Sequence, residues 1–315
     1  MKKYILIGLL ALLSATKLSA QKQNDITDFN LIFAPDLSNR LNPKLYPKAV
    51  SDADIVQGVL GRVWPDILRI KREEGQLDHY SVDFINKGLI GLYKINTDAL
   101  AIDFQRFERR QSDRIDYIKA RNKTGPTLKT DTVAFIAEYK KFNNKAAISN
   151  NGADIWTYFQ SGIDDRIVLP TVSTGGKLKH KFRNVMVLMT DGYIEAGIYG
   201  KGYDLSAAKV TDFRNAFLKS NSDDMHAFLS KNPKFKIKPA KNPFLKDLEV
   251  IVMEMYDRSL SKTGAARKHP TDMEIMKLIW TDWMRSSGVK RFELKSTASN
   301  KTEAVKYIID FLKKS

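Results

Sequence analysis

Cysteine is missing from the 315-residue chain. Its absence excludes disulfides, thiolate metal sites, thiol nucleophiles and a lipidated N-terminal cysteine together. Histidine is scarce, and the only four, His79, His180, His226 and His269, are scattered without a nearby partner in sequence. Acidic residues number 36 against 52 basic ones, giving a formal charge of +16 at pH 7. That balance favours anionic neighbours such as phosphorylated glycolipid, acidic polysaccharide or an acidic protein, without choosing among them. There is no Gly-x-Ser-x-Gly elbow, no phosphate-cradling P-loop, no His-Glu-x-x-His helix and no internal repeat. The apolar run at 4–13 is too short to span a bilayer. It follows Lys2 and Lys3 and precedes Ser19-Ala20, the layout of a secretory signal peptide cleaved after Ala20. An exported chain without cysteine points to a bacterial envelope, periplasmic or secreted.

What remains, 21–315, carries strand patterns at 30–35, 79–86, 99–104, 184–191, 249–255 and 292–294, with helical patterns between them. The 87–96 connection is short for a parallel crossover, so the third strand is expected to run antiparallel at an edge. Pro65 is expected to kink or split the first helix. Thr271 and Glu274 form a capping box for a helix bearing Trp280 and Trp283, whose spacing is read as keeping both from facing the core centrally. The fold class expected is α/β: one doubly wound, mostly parallel sheet with helices on both faces, an antiparallel edge strand and an insertion at about 196–246. No linker rich in Pro, Gly or Ser divides it.

Two stretches concentrate polar groups at strand ends. The first strand delivers Asp36, Ser38 and Arg40 at alternate positions, which share one side of an extended chain. The fourth runs apolar into Thr190-Asp191-Gly192. In the common doubly wound order these strands are neighbours, and ligands bind outside their carboxyl ends where the chain reverses direction. Two carboxylates about 5 Å apart repel by about 3 kcal/mol at an effective dielectric near 20, so Asp36 and Asp191 need a cation or a proton between them. A divalent ion, Mg2+ or Ca2+, is one answer, and the planar fork of Arg40 is another.

These residues resemble the von Willebrand factor A-like domains. That family has an Asp-x-Ser-x-Ser loop after the first strand, a threonine before a middle helix and an aspartate after the fourth strand, often in Thr-Asp-Gly. Asp36, Ser38 and Thr190-Asp191-Gly192 match, and Gly152-Ala153-Asp154-Ile155 is similar to the family's Gly-Thr-Asp segment. The resemblance implies a metal site at Asp36, Ser38 and Asp191, with Asp154 a further oxygen source. Arg40 stands in place of the second serine and Ala153 in place of the threonine. It also implies a noncatalytic module recognising a protein partner on the crevice rim, where Arg40, Tyr193 and Glu195 are the expected contacts, with Gly197, Gly200 and Gly202 in the same loop. The alternative is a metal-dependent phosphoester hydrolase using Asp36 and Asp191. The Asp-x-Asp of haloacid-dehalogenase-like enzymes is broken by Ser38, which cannot shuttle the proton at neutral pH. Lysines 231, 234, 236, 238, 241 and 246 have little acid among them and form the expected contact for an anionic envelope polymer or lipid. Along 107–123, acids interleaved with arginines argue against a nucleic-acid surface.

Overall fold

In strand β1 (Asn24–Pro35), Phe29, Leu31 and Phe33 turn to one side while Ile32 and Ala34 turn to the other, so the strand is buried on both faces. A computed structural model of the protein describes residues 24–44, 46–70, 75–108, 110–121, 124–149, 152–174, 178–195, 203–261 and 263–314. The expected leader at 1–20 lies outside the described residues, as do Gly197, Gly200 and Gly202.

β1 pairs in parallel with β2 (His79–Val82) on one side and with β5 (Leu178–Met189) on the other. Beyond β2 lies β3 (Ala101–Asp103), and beyond β5 lie β6 (Leu248–Met255) and β7 (Arg291–Ser296), giving the order β3-β2-β1-β5-β6-β7. All pairs along that path are parallel except β2 with β3, the antiparallel edge expected from the short connection. The protein is therefore an α/β, Rossmann-like sheet whose direction of travel reverses between β1 and β5. One further strand, β4 (Val172–Thr174), goes beyond the sequence expectation. It lies antiparallel against the start of β5, which begins at Leu178 rather than 184. His180, Lys181 and Arg183 break the apolar run in that lower half, which hides the strand.

Helices α1 (Asp52–Leu60), α4 (Leu128–Ala147) and α9 (Lys301–Lys313) cover the sheet face that carries Phe29, Leu31, Phe33, Val185, Val187 and Ile251. The opposite face, with Ile32, Ala34, Met186, Leu188, Val250 and Val252, is covered by the helical turn α5 (Ile155–Thr157), by α6 (Ala207–Lys219), α7 (Met225–Lys231) and α8 (Asp272–Ser286). Two further helices, α2 (Gly88–Tyr93) and α3 (Gln111–Ile118), lie in the β2–β3 and β3–α4 connections. Ser51 caps α1, and Thr271 with Glu274 forms the expected capping box of α8. Pro65 splits the first helical pattern: α1 stops at Leu60 and a separate 3-10 turn follows at Ile67–Arg69.

Trp280 and Trp283 correct an expectation, because both are fully buried and their rings meet at 5.1 Å. Positions three apart share a helix face, and the insertion supplies a second layer above them. Phe213, Phe217, Phe228 and Phe235 pack edge-to-face within that layer. The basic stretch 231–246 is anchored in it by buried Phe235, Ile237, Ala240 and Leu245.

Candidate functional site

Three parallel strands end together and are stitched by their backbones. Asp36 N–H donates to Met189 O at 2.9 Å, Thr190 N–H to Met253 O at 3.1 Å, and Tyr256 N–H to Asp191 O at 2.9 Å. This register brings Asp36 and the Thr190-Asp191-Gly192 turn to one crevice, as their positions at strand ends predict. The Thr190 hydroxyl donates to Asp36 Oδ2 at 2.9 Å, and Ser38 N–H donates to Asp36 Oδ1 at 3.0 Å. Gly192 has a φ of +89°, and a Cβ there would lie 3.0 Å from Met255 Cε. Only glycine makes that turn without strain, and the turn lets Tyr193 N–H donate to Asp191 Oδ1 at 3.2 Å.

The cation facing Asp191 is Arg258, a residue that the sequence motifs do not single out. Its Nη2 donates to Asp191 Oδ2 at 2.7 Å, and its Nη1 lies 3.7 Å from Glu195 Oε1. The guanidinium also lies 3.9 Å from the Tyr193 ring centroid and 4.8 Å from that of Tyr46. Arg258 follows β6, the third strand whose end borders the crevice. The available signal is a basic residue three positions beyond a buried strand, the place relative to β6 that Ser38 has relative to β1.

Arg40 has a different task from either one expected of it. Its side chain is fully buried and turns towards α1, where Nη1 and Nη2 form a fork on the Asp52 carboxylate. Its Nε donates to the Asp36 carbonyl at 2.7 Å and lies 3.8 Å from Asp36 Oδ2. Beside this fork, Lys48 Nζ lies 3.6 Å from Asp52 Oδ1 and 4.0 Å from Glu254 Oε2. Glu254 sits at a β-bulge with φ +69°, which turns its carboxylate to the α1 side.

Burial raises the Asp36 carboxyl, Arg40 opposes that rise, and neighbouring Asp191 adds to it. Burial would raise Asp52 as well, but Arg40 and Lys48 hold it below the usual carboxylate range. Burial lowers Lys48, and nearby Arg40 lowers it further. Glu254 is pushed up to about 6, first by burial.

Of the residues expected to meet a partner, Arg40 and Tyr193 are only 1% and 3% exposed. That corrects their assignment: Arg40 is held by Asp52, and the Tyr193 hydroxyl donates to Asp272, itself gripped by Arg214. Glu195 does present its side chain, at 67% exposure. Asp154 is turned to its own helical turn, accepting from Thr157 N–H at 2.9 Å and from the Thr157 hydroxyl at 2.7 Å. The crevice holds a cavity of about 120 Å³ bordered by Asp36, Ser38, Asn39, Asp191, Glu195 and Arg258. A wider groove of about 590 Å³ shares Gly152, Ala153 and Glu195 with it and continues to Lys87 and Thr157.

These residues do not fit a divalent ion. Each oxygen of the Asp36 and Asp191 carboxylates already accepts from a donor of the protein, and one of those donors is a guanidinium. Ala153 offers no side-chain oxygen, and Asp154 is committed elsewhere. Among the described residues, no group of three or more His, Cys, Asp or Glu side chains is placed to hold a metal. Comparison with protein-family models and with curated proteins gives no match to this chain.

Proposed function

We propose that this protein is an exported, noncatalytic binding module of von Willebrand A-like organisation that recognises a protein partner at the carboxyl-end crevice. One observation carries the reading. The two crevice acids are engaged by the protein's own donors, while exposed Glu195 and the adjoining groove remain open on the rim. A side chain already engaged in this way is a poor nucleophile or base, and Ser38 supplies no second acid for proton transfer. Binding therefore accounts for the geometry better than phosphoester hydrolysis does. The charged pair at the resemblance's metal position makes recognition independent of added metal. Export is supported by Lys2, Lys3, the apolar run at 4–13 and Ala20.

The test is a capture experiment from bacterial envelope extract with wild type and with Glu195→Lys, each repeated with chelator. The expected result is a protein retained by wild type with or without chelator and lost from the variant. Equal retention by both proteins would remove the crevice rim as the contact. Turnover of a generic phosphoester panel by wild type, abolished in Asp36→Asn, would establish the hydrolase instead.

A further inference from the structure

We propose that Arg258 is the resident counter-cation of the crevice and excludes a divalent ion that the remaining oxygens would otherwise attract. The inference rests on reading this crevice as the functional site, but it concerns the occupant of the site and not the partner. Asp36 and Asp191 flank Thr190 at the crevice, and the only cation reaching Asp191 at hydrogen-bond distance among the described residues is Arg258. Its guanidinium is held by one carboxylate oxygen at 2.7 Å, by Glu195 at 3.7 Å and by two tyrosine rings, a set that suits a planar cation. Its buried Nε has no hydrogen-bond partner among the described residues, so the arginine is held by charge and ring faces and not by a complete hydrogen-bond network. Arg40 serves the other acid: its Nε lies 3.8 Å from Asp36 Oδ2, while its fork belongs to Asp52 and does not reach Asp191 at hydrogen-bond distance.

Removing Arg258 frees Asp191 Oδ2, which with Asp36, the Ser38 hydroxyl and exposed Glu195 then borders a cavity of about 120 Å³. Those are hard oxygen donors, the chemistry that takes Mg2+, Mn2+ or Ca2+. The substitution that opens the crevice is thus at position 258, not at position 40.

Mn2+ alone is titrated calorimetrically into the full chain as wild type, Arg258→Ala and Arg258→Ala with Asp191→Asn. The single variant is expected to take up one Mn2+ with a dissociation constant on the order of 10⁻³ M, at least about tenfold tighter than the other two. Its thermal midpoint should rise with Mn2+ while that of wild type stays fixed. Should Arg258→Ala fail to fold, Arg258→Gln keeps a donor for Asp191 and removes the charge, and is measured in the same way. Stoichiometric uptake by wild type, or none by a folded position-258 variant, would overturn the proposal. Neither result depends on partner capture, so a failed capture and a failed metal titration remain distinguishable.

Discussion

Arg40 and Asp52 form a buried fork that a single substitution converts into an isolated charge. Arg40→Ser should cost about 3–5 kcal/mol in urea denaturation, because Asp52 is left in the core with Lys48 at 3.6 Å as its nearest cation. Adding Asp52→Asn should recover most of that loss, since it removes the stranded charge. No recovery would mean that the fork contributes through packing instead. Glu254 carries the opposite sign of effect. Its folded value of about 6 lies above the ordinary glutamate value of 4.5, so protonation is favoured in the folded state. The stability linked to that shift is fully present below about pH 4.5 and is lost as pH rises through about 6. The difference corresponds to about 2 kcal/mol. Wild type should therefore gain on Glu254→Gln by about that amount between about pH 7 and pH 4.5, and parallel stability profiles would exclude the linkage.

At the scale of elements, the approach of two helices is set by Gly58. A Cβ at that position would lie 2.4 Å from Val305 Cγ2, so α1 and α9 meet at this separation only over glycine. Gly58→Ala should destabilise by about 1–3 kcal/mol despite its better helix propensity, and adding Val305→Ala should relieve part of that cost. Gly91 in α2 has nothing within 4 Å of its added Cβ, so Gly91→Ala should instead be neutral or gain up to about 1 kcal/mol. Both comparisons are read from chemical denaturation midpoints. These elements are largely legible in the sequence where periodicity is strong. The doubly buried runs of β1, β5 and β6 and the Thr271–Glu274 box declare themselves through apolar continuity and capping chemistry. The lower half of β5 does not, because its polar residues are satisfied by long-range partners such as Asp28 for His180 and Glu249 for Arg183. Such pairing is invisible until the strands are assembled.

The same limit applies to the whole molecule. Strand order alone places Asp36 and Asp191 in one crevice, but it cannot place Arg258 and Asp52, since their roles depend on where a loop and a helix return to the sheet. Packing also decides which part of the +16 charge is free to act. In the basic stretch, Lys236 is paired with Asp282 at 2.8 Å, and Lys238 lies over the Tyr203 ring at 4.5 Å. Lys234 likewise lies over the Phe235 ring at 5.0 Å, whereas Lys231, Lys241 and Lys246 are exposed, so these three are the better probes of an expected contact with an anionic lipid. Each basic residue near an anionic surface contributes about 1 kcal/mol, so reversing these three to glutamate should lower vesicle partitioning by about two orders of magnitude or more. The loss should shrink as salt rises, because the attraction is screened over about 10 Å at 0.1 M. Sedimentation with anionic and neutral vesicles at two salt concentrations reads both effects. Unchanged partitioning of the triple variant would assign the stretch to anchoring the insertion through Phe235, Ile237 and Leu245, with its lysines serving only to keep that layer solvated.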